Sequence, residues 1–328
     1  MAKRKQGAGD LNRHLPALIG RRIFAAATSL AFVIVTVFAI TNILPGDATD
    51  ALLGQGATPQ AIAAMRHDLG LDRSVFLRFW LWLWGVLHGQ FGYSLLNGLP
   101  VADAIRPRLH NSLLLAGASA AVAVPVSLFL GITSAIWRDT LYDRAVSVLT
   151  LGMVSVPEFV IGTMAVYVFA VRLHVLPALA DVASVHSIGQ FLRAFFMPVA
   201  SLALVTLAQM VRMTRAAMAD TLSAPYIEMA LLKGVGPARL ILVHAIPNAI
   251  GPIVNAVALS LSSLLGGVVV IEVVFTYPGI AGLMVDAVSS RDVPTVQACA
   301  LVFCLTYLLL TTFADIVTIL SLPRGRKA

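Results

Sequence analysis

Residues 224–237 read Ala224-Pro225-Tyr226-Ile227-Glu228-Met229-Ala230-Leu231-Leu232-Lys233-Gly234-Val235-Gly236-Pro237. Pro225 suits the first turn of a helix, where its missing N–H costs no bond. Glu228 falls near that N-terminus, where negative charge is favoured. Gly234 supplies a stop just past the helix end. The segment therefore predicts a short amphipathic helix of about two to three turns. On each side runs an apolar stretch long enough to cross a bilayer, roughly Phe195–Met213 before it and Ile250–Val274 after it. A short rigid helix held between two spans can carry motion into both.

Four further runs have span length: Ile23–Ile43, Leu113–Ile136, Val146–Val171 and Val296–Leu320. The expected fold class is all-α, a polytopic membrane protein with six transmembrane helices. Composition agrees, with 59% hydrophobic and 12% charged residues among 328 and a mean hydropathy of +0.88. A soluble domain carries about 25% charged residues, so this chain lacks the charged shell of a soluble fold. Disorder needs low hydrophobicity with high charge and is excluded as well. Ile23–Ile43 exceeds the usual apolar core of a secretory leader, about 7–15 residues, and no convincing cleavage site follows it. It reads as a retained span that also directs insertion. The expected layout is an N-terminal segment 1–22, a first span 23–43, an extracytoplasmic loop 44–111 with short helices, a five-helix core 112–323 and a tail 324–328. The short helix 224–236 lies inside that core region.

Charge gives the orientation. Lys3, Arg4, Lys5, Arg13, Arg21 and Arg22 precede the first span against Asp10 alone. Arg212, Arg215, Lys233 and Arg239 outweigh Asp220 and Glu228 in the loop holding the short helix, and Arg324, Arg326 and Lys327 fill the tail. With the balanced loop Arg138–Arg144, that side totals +10 and the other −1. The excess of Lys and Arg assigns both termini and the even-numbered loops to the cytoplasm. The same placement explains the overall +7 without nucleic acid.

Two acids, Glu158 and Asp315, are left in or near spans, where an ionisable group is costly and invites a functional reading. Glu158 follows Pro157, which can break or kink its helix. A bundle kink and a pore or gate role for Pro157 and Glu158 both stay open. Asp315 either pairs internally or nears the cytoplasmic interface. Small residues in the fifth span, Gly251, Ser260, Ser262, Ser263, Gly266 and Gly267, permit close helix packing or line a pore. The run Val75–Leu87 holds Phe76, Phe79, Trp80, Trp82 and Trp84. These rings suit the lipid headgroup level or the bundle surface, with stacking on a substrate as the alternative. Thr58-Pro59 signals a helix over Ala61–Leu69. His174, His186 and His244 read as loop or interface residues. Cys299 and Cys304 look like small buried hydrophobes, with no metal-binding or disulfide spacing. No GxxxxGKS/T run is present, so nucleotide binding through a P-loop is not expected. No catalytic constellation stands out.

The segment around Glu228, Ala230 and Gly234, with Ile246-Pro247-Asn248-Ala249 downstream, resembles the EAA motif of ABC importer permease subunits. The wider chain is similar to the dipeptide/oligopeptide/nickel permease family over about residues 16–323. That likeness rests on ordered blocks: Leu44-Pro45-Gly46-Asp47, Leu69-Gly70-Leu71-Asp72, Phe91-Gly92-Tyr93-Ser94, Ser155-Val156-Pro157-Glu158-Phe159, Leu176-Pro177, Leu265–Phe275, Tyr277-Pro278-Gly279, Arg291-Asp292 and Pro294. The resemblance implies a type I importer permease fold in a prokaryotic inner membrane. It implies a second homologous permease subunit, two cytosolic ABC ATPase subunits that bind the ATP and Mg, and an extracytoplasmic substrate-binding protein. The helix carrying Tyr226, Glu228, Ala230, Lys233 and Gly234 becomes the ATPase-coupling helix. Tyr277, Pro278, Gly279, Arg291 and Asp292 become an extracytoplasmic interface. Peptides are the implied cargo, with nickel, glutathione or other small solutes as family alternatives. A proton-coupled secondary carrier using Glu158 or Asp315, or a membrane scaffold, is the contrasting class.

Overall fold

The computed structural model describes residues 3–43, 72–180 and 187–321, with residues 58, 60, 63, 64, 67 and 185 between them. The block Leu44–Asp47, most of the helix expected over Ala61–Leu69, His186 and the basic tail lie outside the described residues. Among those described, every regular element is helical, and one isolated antiparallel bridge joins Tyr93 to Pro100.

The chain runs α1 (Lys3–Ile43), α2 (Val75–Leu87), α3 (Val101–Ile136), α4 (Leu141–Ser155), α5 (Glu158–Ala165), α6 (Ile188–Leu222), α7 (Pro225–Leu232), α8 (Pro237–Arg239), α9 (Ile246–Val274), α10 (Ile280–Ser289) and α11 (Val293–Ser321). A π-helical stretch, Val166–Arg172, extends α5, and another, Leu240–Ala245, fuses α8 to α9. Five described helices are long and apolar enough to cross a membrane: Ala17–Asn42, Val101–Ile136, Ile188–Leu222, Pro237–Val274 and Val293–Ile319.

The sixth expected span is not one straight rod. α4 and the α5 unit meet at 95°. Pro157 is the reason: it bars Val156 from helical backbone, and Val156 adopts φ −99°, ψ 126°. The Ser155 hydroxyl bonds back to Leu151 O at 2.8 Å and helps finish α4. Pro157 then opens α5, where no N–H is required of it.

α3 and α6 form the closest helix pair because small residues line α3. Ser119, Ala123, Ser127, Gly131 and Ser134 are buried at helical spacing. A methyl group on Gly131 would stand 2.7 Å from Thr214 Cβ, so the two backbones nearly touch. Leu115, Phe195, Leu202, Leu264, Val268 and Ile271 fill the central core. A second cluster, with Ala135, Met218, Ile227, Leu240 and Ile253, lies under α7. A third, with Val101, Ile105, Ile280 and Cys299, closes the opposite end. Cys299 and Cys304 are both free thiols.

Candidate functional site

At one end of the bundle, α7 forms as its sequence requires. Pro225 sits in the first turn after Ala224, whose backbone is extended. Gly234 takes φ +79°, a left-handed value that favours glycine, and Val235 N donates to Ala230 O at 3.2 Å. Ile227 is buried and pins the helix to the core, and Ala230 packs against the same cluster. Tyr226, Glu228, Met229, Leu231, Leu232 and Lys233 are exposed, Leu232 to 78%. The result is a helix held by one face whose remaining surface is bare and mostly apolar, with Glu228 and Lys233 as its charges. Of the five residues singled out on it, Tyr226, Glu228 and Lys233 share that surface, Ala230 turns inward, and Gly234 shapes the exit.

The expected pore residues divide. Gly267 of α9 is buried, and a methyl group there would stand 2.5 Å from Glu158 Oε2 and 2.8 Å from Leu202 Cδ1. Glu158, at the first position of α5, thus lays its carboxylate over Gly267 just past the Pro157 break. No described residue donates a hydrogen bond to it. Gly266 has open space at its Cα and does not join the group.

At the other end of the bundle, most of the residues expected to face a partner are internal. Tyr277 is buried, and its hydroxyl donates to Asn111 O at 2.8 Å, while Asn111 Nδ2 donates to Pro278 O at 2.9 Å. Burial, with the Glu272 carboxylate nearby, pushes the Tyr277 phenol above its usual range. Gly279 is buried because Glu272 fills the place its side chain would take. Asp292 is buried and accepts from Ser94 Oγ at 2.6 Å, Leu95 N at 3.1 Å and Thr295 Oγ1 at 2.7 Å. Only Arg291 is exposed, with Pro278 partly so. Of the residues expected at an extracytoplasmic interface, Tyr277, Pro278 and Asp292 bind the chain to itself through these bonds.

Three charged residues that matter were not singled out in the sequence. Glu272, within the expected fifth span Ile250–Val274, lies inside α9 and is buried. It accepts from Ser112 Oγ and, at 2.8 Å, from Ala281 N in the first turn of α10. Asp143 and Arg215, assigned to flanking loops, form a bidentate ion pair between α4 and α6. Arg215 Nε and Nη2 donate to the two carboxylate oxygens at 2.6 and 2.7 Å. Ser134 Oγ at 2.5 Å and Asp139 N at 3.0 Å complete the shell. Asp315 pairs with Arg22 of α1 at 3.2 Å, which meets the expectation of a paired group.

The aromatic run forms α2 and has two faces. Phe79 and Trp82 pack on Phe38 of α1, with centroids 5.1 and 5.4 Å away. Phe76, Trp80 and Trp84, one turn apart from each other, are exposed. His174 sits at φ +53° in the turn after the α5 unit, and His244 O accepts from Asn248 Nδ2 at 2.6 Å. Among the described residues, no group of His, Cys, Asp and Glu is placed to hold a metal.

Residues 127–327 match the family model described as the binding-protein-dependent transport system inner membrane component, and residues 15–116 match the model of that family's N-terminal part. The chain is 34% identical over 312 residues to a putative peptide transport system permease protein of Brucella abortus (strain 2308), covering 95% of this chain and 99% of that one. It is 34% identical over 296 residues to the glutathione transport system permease protein of Escherichia coli (strain K12), covering 90% and 94%.

Proposed function

The chain belongs to the binding-protein-dependent transport system inner membrane components, and on that footing we propose that it is the membrane-embedded permease subunit of an ATP-driven importer of peptides. Glutathione, the solute in the name of one relative, is itself a small peptide and fits the same class. The assembly contains a second homologous permease subunit, two ABC ATPase subunits that bind ATP and Mg, and an extracytoplasmic substrate-binding protein. The chain sits in a prokaryotic inner membrane with both termini and α7 in the cytoplasm, as its Lys and Arg excess directs.

The single observation that carries the reading is α7. A polar-flanked helix between two spans leaves Tyr226, Met229, Leu231 and Leu232 uncovered. Burying such side chains in a cleft of a partner is worth about 1.5–3 kcal/mol for each fully covered large residue. α6 enters α7 and the α8–α9 unit leaves it, so displacement of α7 by ATPase closure tilts both spans. The ATPase shifts the permease between inward- and outward-facing states by binding one of them better. α9 carries that motion to Gly267, where it meets Glu158 at the break between α4 and α5. This contact is the gate of the proposed pathway.

Cross-linking tests the coupling role. A cysteine at Leu232 is expected to cross-link to an ATPase subunit in the assembled transporter, with a yield that changes between nucleotide states. Ala230 is the poorer site because it faces inward. A helix lying on the lipid surface instead gives no cross-link in any nucleotide state, and that result sinks the reading.

A further inference from the structure

α6 continues helical to Leu222, well past the expected end of its span at Met213, and so takes Arg212 and Arg215 into one long helix. Arg212 lies about 15 Å of helix before Leu222, at the cytoplasmic edge of the span expected over Phe195–Met213. A cation at that depth faces a bundle interior or a water-filled cavity rather than lipid chains. An open cleft of about 640 Å³ lies there, lined by Ser147 and Leu151 of α4 and by Gln209, Arg212, Arg215 and Ala216 of α6. Asp143 occupies the Arg215 guanidinium through both of its oxygens. Arg212 makes no ion pair or hydrogen bond with any described residue. The nearby acids are engaged or distant: Asp139 pairs with Arg138 at 3.7 Å, and Asp220 stands two turns further along α6.

We propose that this cleft is an anion site, in which Arg212 supplies the charge and Gln209 and Ser147 supply neutral donors to a carboxylate or phosphate group. A carboxylate comes from a solute on its way to the cytoplasm, and a phosphate from a lipid headgroup of the inner leaflet. The anion site stands on the cleft alone. Only its place on a transport path rests on the function proposed above.

The test uses the full chain with Cys299→Ala, Cys304→Ala and Ala216→Cys, in phosphatidylcholine vesicles. Residue 216 follows Arg212 by one turn, so their side chains are neighbours. The thiol is modified with an anionic sulfonatoethyl and a cationic trimethylammonioethyl methanethiosulfonate, each rate being taken relative to a free thiol in solution. A unit positive charge about 8 Å away favours the anionic reagent roughly fivefold. Arg212→Gln is expected to bring the ratio to about one, while Arg212→Lys keeps most of it. Glycylglycine slowing the anionic reagent where its amide does not identifies a carboxylate. Slowing by added phosphatidylglycerol that is present with Arg212 and absent in Arg212→Gln identifies a lipid phosphate. The proposal is overturned if the thiol with Arg212 in place is inert to both reagents or treats them alike, or if neither anion slows the anionic reagent. None of these readings needs ATP or uptake, so they stand apart from failure of the transport function.

Discussion

At the scale of single residues, two glycines matter for what stands against them. Gly279 lies where the Glu272 carboxylate caps the start of α10. Gly279→Ala drives that carboxyl group from Ser112 and Ala281, leaving a buried polar group without its donors. The expected cost is about 1–3 kcal/mol, read as a lower unfolding midpoint of the detergent-purified chain. Gly267→Ala places a methyl group against Glu158 and Leu202. Two of the three nearest atoms belong to Glu158, so Glu158→Ala is expected to recover part of the loss. The check is a double-mutant cycle on thermal stability and uptake, with a coupling energy of about 1 kcal/mol expected. Additive effects would show that the two residues do not meet. Glu272 was hidden from the sequence for a physical reason. Its partners come from Ser112, 160 residues earlier, and from a turn beyond its own helix. Nothing local to Val270–Val274 shows which groups it binds.

Elements were legible where their signals are local. Pro225 and Gly234 bracket α7, and the helix ends as they direct. Pro157 was read as a break or kink, but its 95° angle depends on packing α5 beside α9 and could not be read from the run itself. The spacing of Trp80, Trp82 and Trp84 fits no single helical stripe, and α2 resolves this by using two. Phe38 fixes the depth of α2, because it lies within the first span a turn before Asn42. Phe76, Trp80 and Trp84 then face the headgroup region, where tryptophan is favoured. The chain has four tryptophans, and Trp137 is the only one outside α2. In a Trp82→Phe, Trp137→Phe variant, the remaining fluorescence reports Trp80 and Trp84 alone. It is expected to be quenched by lipids brominated near the headgroup more than by lipids brominated near the chain end. Quenching only by aqueous acrylamide would remove α2 from the membrane.

For the whole molecule, the question is how a push on α7 reaches the bend between α4 and α5. α7 continues from α6, and α6 is tied to α4 by the Asp143–Arg215 pair, with Ser134 of α3 in the same shell. The pair therefore ties α3, α4 and α6 into one body with the helix proposed above to meet the ATPase. Breaking it from one side leaves a buried charge: Arg215→Met is expected to cost about 3–5 kcal/mol. Replacing both partners by apolar residues, Asp143→Leu with Arg215→Met, removes the charges together and is expected to restore most of that stability. Stability and coupling then part company. On the proposed function, the double variant is expected to assemble and hydrolyse ATP, but with α4 no longer following α6, liganded binding protein is expected not to stimulate hydrolysis, and uptake is expected to fall. Reconstituted transporter measures both quantities side by side. A double variant with wild-type stimulation and uptake would show that the pair holds the fold without carrying the motion.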